Sequence, residues 1–206
     1  MKPRFKELIN HNKDNYDQRI PVLTDKIKFK DYATEKGVHT AELLMIAPDK
    51  YMKKYNNVSG FLETIETDEK EYGADKGEWW YDYIEPKTFY EEYIPRECEY
   101  QFHCHNGKPF WIQIKAPKPR REERLFDIDL NEMFVCIWHK NQYSNRLPLP
   151  DNVDELKQAA IRLADNFVYV RVDLFNYNGK IYANELTFAP LAGDGPTEEA
   201  GYIRVG

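Results

Sequence analysis

FVYVRVDLFNYNGKIYANELTF, residues 167–188, decides the fold. Two runs of β-branched and aromatic residues flank Asn178-Gly179, a pair suited to the positive φ angles of a hairpin turn. Side chains alternate between faces along a strand, so a slip of one residue exchanges the faces. A three-residue loop, Asn178-Gly179-Lys180, sets Asp173 opposite Glu185 and Arg171 opposite Thr187. The other face then carries Val170, Val172 and Leu174 against Tyr182, Asn184 and Leu186, a largely core-like set. Opposed residues on one sheet face have β-carbons about 5 Å apart. Two carboxylates at that separation repel unless positive charge lies between them. Magnesium suits the position, because it takes carboxylate oxygens together with phosphates and water. The other reading is that Arg171 neutralises Glu185 and the group is an ion network. Spacing leaves both open.

Working outward, LPDNVDELKQAAIRLADNF before the hairpin reads as a helix over 151–166. Asp151 is its expected cap, and Val153, Leu156, Ala160, Leu163 and Phe167 recur at helical spacing. YQFHCHNGKPFWIQI (100–114) reads as another hairpin. A three-residue loop, Asn106-Gly107-Lys108, sets Tyr100, Phe102 and Cys104 opposite Ile114, Ile112 and Phe110. KTFYEEYI (87–94) and LFDIDL (125–130) read as strands, and KAPKPRREER (115–124) as a basic loop held extended by Pro117 and Pro119. Near the start, residues 3–13 suit a short helix. Thr24 or Asp25 can cap a second, Lys26 to Lys36, with Gly37 as its stop. VHTAELLMI (38–46) is extended, and 49–80 reads as helix and loop.

Composition bounds the function. Hydrophobic residues are 42% and charged residues 31%, enough apolar surface for a core. The net charge of −6, with no long basic block, argues against nucleic acid as the partner. Three cysteines, Cys98, Cys104 and Cys136, are an odd number in no disulfide spacing and read as free thiols of a reducing compartment. No signal-peptide core opens the chain, and no run reaches the roughly 18 apolar residues of a membrane span. A cytoplasmic protein without a membrane span is expected.

Two further clusters invite chemistry. His103, Cys104 and His105 resemble metal ligands, but Cys104 points away from the two histidines on a strand and suits a core position. Zinc would need more ligands at matching spacing. Trp79, Trp80, Tyr81 and Tyr83 could stack on a sugar or base, but packing behind the 87–94 strand is the expectation.

The 167–193 stretch, FVYVRVDLFNYNGKIYANELTFAPLAG, resembles the terminal motif of ATP-grasp ligases of the teichuronopeptide-biosynthesis, or TupA-like, type. Upstream blocks resemble that family in order: VLTDKIKFKDYATEKGV, GEWWYDYIEPKTFYEEYI, EYQFHCHNGKPFWIQI, LFDIDL and the 151–166 helix, about four-fifths of the chain. The resemblance implies a single α+β domain over 1–206, an ATP-grasp-like antiparallel sheet with flanking helices. Residues 1–50 would be its N-terminal segment and 87–206 the sheet core holding the site. It implies ATP and magnesium as cofactors, with Asp173, Glu185 and Thr187 at the metal. Glu91, Glu92, Tyr93 and Ile94 would form the adenine hinge, and Glu99 would meet the ribose hydroxyls. Lys26 would approach the phosphates, and Arg171 would face the transferred phosphoryl group or the substrate carboxylate. Such an enzyme phosphorylates a carboxylate, and an amine then attacks the acyl phosphate. Its work is positioning and charge neutralisation. The partners implied are a small-molecule, glycan or peptide carboxylate and an amine.

The sequence departs from this pattern where the glycine-rich lid belongs. After VHTAELLMI it continues as APDKYMKKYNNVSGFLE, with no lysine strand followed by a glycine-rich loop. Lys53, Lys54 and Ser59-Gly60 are weak substitutes. Glu99-Tyr100-Gln101 stands for the family's Asp-Tyr-Lys, and Asn184 for a glycine. A reduced or missing lid follows. Three readings remain: a reduced carboxylate–amine ligase, a non-catalytic binding domain derived from one, and a subunit completed by a partner chain.

Overall fold

The computed structural model describes residues 2–46, 55–56, 77–85, 87, 89–117, 119–190 and 197–205. The two hairpins form its centre. Strands β10 (Val170–Tyr177) and β11 (Lys180–Thr187) pair antiparallel, as do β5 (Glu99–His105) and β6 (Lys108–Lys115). Neither has the expected three-residue loop. His105 pairs with Lys108 and Tyr177 with Lys180, so each turn is Asn-Gly alone. Asn106 and Gly107 have φ of 48° and 75°, and Asn178 and Gly179 have 52° and 76°, the two successive positive angles of a hairpin turn. A bulge in each hairpin then absorbs one extra residue, Phe110 in β6 and Asn184 in β11. Beyond the bulges Tyr100 faces Ile114, Phe102 faces Ile112, Asp173 faces Glu185 and Arg171 faces Thr187, as the alternation requires. Cys104 faces Pro109 instead of Phe110, and Leu174 faces Ala183.

These strands lie in a large sheet with β1 (His39–Thr40), β7 (Glu122–Asp127), β8 (Glu132–Met133) and β9 (Gln142–Tyr143). The order is β1-β11-β10-β5-β6-β7-β8, with β9 beside β7. Strand β7 begins inside the expected basic loop, because its charged residues find partners. Glu123 is buried and accepts hydrogen bonds from Gln113, Asn141 and the backbone N–H of Ile137 and Trp138. Arg124 pairs with Glu132 at 2.6 Å.

Among the described residues, β2 (Leu43–Ile46), β3 (Tyr55–Asn56) and β4 (Phe89–Glu91) make a smaller sheet in the order β2-β4-β3. The expected 87–94 strand is confined to β4. Residues 47–54 and 57–76, including Lys53, Lys54 and Ser59-Gly60, lie outside the described residues.

Helix α1 (Phe5–Asp14) buries Phe5, Leu8, Ile9 and Asn12 at helical spacing. Its Phe5 ring meets His103, Trp111 and Tyr169 on the sheet. Helix α2 (Arg19–Thr24), unread in the sequence, precedes α3 (Lys26–Glu35). The Asp25 carboxylate caps α3 by accepting from the N–H groups of Ile27 and Lys28, and Gly37, at φ 69°, follows its end. Helix α4 (Val153–Ala164) buries Val153, Leu156, Ala159, Ala160, Leu163 and Ala164, and it lies along β10, β5 and β6. Its cap position is Asn152, not Asp151. The Asn152 side chain turns away to the Gly179 carbonyl and the Asn176 amide. Helix α5 (Glu198–Tyr202) is capped by Thr197.

Trp79–Tyr83 form a 3-10 helix. Trp80 is buried against Phe188, while Trp79 stacks near Tyr16 and donates to the Asn12 carbonyl. The aromatic group therefore packs on α1 and the end of the large sheet, not behind β4. The three cysteines are free thiols. Among the described residues no helix is long and apolar enough to cross a membrane.

Candidate functional site

Three adjacent strands, β5, β10 and β11, and helix α3 assemble the charged residues. Asp173 on β10 is paired on one side with Glu185 and on the other with Gln101. Its carboxylate is 1% exposed and receives Arg171 Nε at 2.7 Å and an Arg171 terminal nitrogen at 2.6 Å. This is a two-pronged pair, the strong form of an arginine–carboxylate contact. The same guanidinium donates to Thr187 Oγ1 at 3.1 Å and lies 3.6 Å from Glu185 Oε1. Lys26, at the start of α3, places Nζ 3.0 Å from Glu185 Oε2. Gln101 Nε2 donates to both Asp173 Oδ2 (3.2 Å) and Glu99 Oε2 (3.0 Å), and Asn184 donates to Glu99 Oε1 at 3.2 Å.

The electrostatics follow from this packing. Burial pushes the Asp173 carboxyl upward; Arg171 opposes this, and Glu99 and Glu185 add to the upward push. Burial works against the Arg171 charge, but Asp173 overrides it and the guanidinium is held above its usual value. Glu185 raises the Lys26 ammonium against a smaller opposing effect of burial. Three carboxyl groups, Glu99, Asp173 and Glu185, are thus grouped with two basic side chains, Arg171 and Lys26. Gln101 is also buried with its side-chain oxygen lacking a hydrogen-bond partner.

A second feature adjoins this group. Glu91, Glu92, Tyr93 and Ile94 line a narrow cleft between the two sheets, with Lys30, Ala41, Arg96, Phe175, Tyr182, Ala183 and Asn184. Ile94, Phe175 and Tyr182 form a separate small apolar cluster there, and the Arg96 guanidinium lies 4.2 Å from the Phe175 ring centre. Asn184 belongs to both features: it lines the cleft and holds Glu99. The expected residues therefore fall into two neighbouring sets. Lys26, Arg171, Asp173, Glu185 and Thr187 converge, Glu91 to Ile94 line the cleft, and Glu99 joins them.

The donor chemistry fits a small hard cation held by two protein carboxylates and completed by phosphate oxygens and water. Among the described residues no three His, Cys, Asp or Glu side chains converge to bind a metal by themselves. His103 is excluded as a ligand by its surroundings. It is fully buried, its two ring nitrogens engage the Tyr169 hydroxyl (3.0 Å) and the Gln113 side-chain oxygen (3.2 Å), and burial lowers its pKa to about 3. Cys104 is a core residue. Sequence reading missed Lys30, Phe175 and Tyr182. For Lys30 a signal was present, one helical turn after Lys26.

Comparison with known proteins adds the family. Solved structures to which the chain is similar include the D-alanine–D-alanine ligase from Bacillus anthracis complexed with ATP, at 16% identity and a TM-score of 0.45 over 82% of this chain and 54% of that one. The Helicobacter pylori D-alanine–D-alanine ligase gives 16% and 0.46 over 84% and 53%. The ATP-grasp ligase PsnB complexed with its minimal precursor gives 15% and 0.45 over 84% and 54%. The chain thus spans about half the length of each. No curated protein matches it. The profile described as TupA-like ATPgrasp matches residues 2–200, nearly the whole sequence, and the chain therefore belongs to the TupA-like ATP-grasp family.

Proposed function

We propose that this protein is an ATP- and magnesium-dependent carboxylate–amine ligase working through an acyl phosphate. The observation that carries the reading is the cross-strand pair Asp173–Glu185 beside the Glu91–Ile94 cleft. Asp173 and Glu185 would hold magnesium with Thr187 near it, and magnesium would supply charge neutralisation at the nucleotide phosphates. Glu91 to Ile94 would receive the adenine against Phe175 and Tyr182, and Glu99 the ribose. Lys26 would leave Glu185 for a phosphate oxygen. Arg171 would steer the developing acyl phosphate while opposing the upward push that burial gives the Asp173 carboxyl. The carboxylates act as electrostatic anchors, not as acid or base. The substrate would be a small-molecule, glycan or peptide carboxylate with an amine acceptor, in the cytoplasm.

A second reading is a non-catalytic nucleotide-binding domain, or a subunit completed by a partner chain. It is favoured by the two ion pairs, which already give each carboxylate a cationic partner. Calorimetric titration of ATP with magnesium, without it, and with Asp173→Asn separates the cases. The ligase reading expects saturable binding that is lost without magnesium and in the variant. Binding indifferent to both, in a variant that melts like the parent, would leave the non-catalytic reading. Turnover then requires an amine and a carboxylate screened together by ADP release.

A further inference from the structure

Helix α3 grips both sheets. Lys26 and Lys30 stand one turn apart, so their side chains leave the same side of the helix. Lys26 meets Glu185 on the large sheet, and Lys30 Nζ lies 2.9 Å from Glu91 Oε2 at the end of β4 on the small one. Lys30 also donates to the Ala41 carbonyl at 2.7 Å, and the Glu92 N–H donates to the Glu42 carbonyl at 2.9 Å. One lysine and one backbone bond therefore fasten the chain at 91–92 to the chain at 41–42. The Lys30 and Glu91 side chains are only 13% and 12% exposed, so water and salt screen the pair much less than a surface contact. Both line the cleft whose far wall is Phe175 and Tyr182.

We propose that Lys30 is a positioning residue for the nucleotide cleft. It fixes Glu91 and the residues after it beside Phe175 and Tyr182, so that the wall a base would meet is ordered before binding. The identity of the ligand rests on the ligase reading above; the fastening itself rests on the contacts of Lys30. Two of the three ammonium N–H groups are spent on Glu91 and Ala41, which makes the lysine a brace between chain segments. A direct phosphate contact would require it to give up Glu91.

The test uses the full chain with Lys30→Met, Lys30→Arg and the exchange pair Lys30→Glu with Glu91→Lys. Two quantities are read: hydrogen exchange of the Phe89–Glu92 amides, and the affinity for magnesium-ATP by calorimetry. Lys30→Met is expected to speed that exchange and weaken affinity by about tenfold, the scale of one charge-assisted hydrogen bond. Lys30→Arg is expected to recover most of both, and the exchange pair, which alters a cleft residue, is read for amide exchange alone and is expected to slow it again. If Lys30→Arg restores slow exchange while affinity stays low, Lys30 touches the ligand directly and the positioning role is wrong. Unchanged amide exchange in Lys30→Met also overturns it. If the parent protein binds no nucleotide, the ligase reading fails separately. Amide exchange then decides the fastening alone: fast in Lys30→Met and slow in the parent supports it, and equal rates overturn it.

Discussion

His103 shows at the scale of one residue how burial turns a suggestive side chain into a structural one. It is held neutral in the folded protein, with its pKa lowered to about 3, mainly by burial. In the unfolded chain it takes up a proton at its ordinary value, about 6.5. Between those values the unfolded state binds the extra proton, so stability falls as pH drops from about 6.5 towards 3 and is unaffected above that window. Urea unfolding at pH 7 and pH 5, compared between the parent and His103→Gln, is expected to show a shallower loss in the variant. The difference should be about 2 kcal/mol, or 1.4 kcal/mol for each pH unit below 6.5. Equal losses in both proteins would mean that the ring is protonated in the native state. The site residues were legible in the sequence to different degrees for similar reasons. Asp173 and Glu185 are visible because two acids interrupt an apolar alternation. Gln101 and Lys30 are ordinary polar residues whose importance comes from what they bridge, and that is set by tertiary contacts.

At the scale of elements, the hairpins were legible in outline and misread in detail. Face matching correctly demanded Asp173 opposite Glu185, yet Asn-Gly prefers a two-residue turn. The chain satisfies both demands by placing a bulge between turn and site, which no local pattern announces. The short strands β8 and β9 and helix α2 were unread because two to six residues carry too little periodicity. The two turns look alike in sequence but sit in different surroundings. A β-carbon on Gly107 would collide with the backbone carbonyl of Asp165, whereas one on Gly179 meets nothing within 4 Å. Gly179→Ala is therefore expected to cost only the left-handed backbone strain, about 1–2 kcal/mol. Gly107→Ala should cost clearly more, because the collision adds to that strain. Thermal or urea unfolding of the two variants side by side checks the order, and equal losses would contradict the packing at Asp165.

At the scale of the whole molecule, the protein separates residues that hold it together from residues that shape a slot. Leu174 and Phe175 are neighbours on β10 facing opposite ways. Leu174 is fully buried in the main core, while Phe175 belongs to the small cluster with Ile94 and Tyr182 in the cleft. Leu174→Ala is expected to lose about 2–5 kcal/mol of stability, as truncations in a packed core do. Phe175→Ala should lose less stability and should be felt in magnesium-ATP affinity, by calorimetry on the folded variant. Equal destabilisation with unchanged affinity would remove the cleft from the nucleotide reading. The family and the large sheet were legible because ordered blocks run along the sequence. The cleft was legible on one wall only: the family resemblance singles out Glu91 to Ile94, but Phe175 and Tyr182 read as plain strand residues until the sheets meet.

The bulge at Asn184 bears on how the chain tolerates changes of length. Strand β11 carries one residue more than its ladder uses between Ala183 and Glu185. Loss of that residue would close the ladder and still leave Glu185 across from Asp173. Gain of a residue has no such outlet. Unless the bulge widened, it would turn Glu185 towards the Val172 side, into the core, and bring its neighbour to the site. The same arithmetic applies to Phe110 in β6. Both hairpins are thus buffered against shortening by one and exposed to lengthening by one, and in β11 that asymmetry decides which length variants keep the acidic pair together.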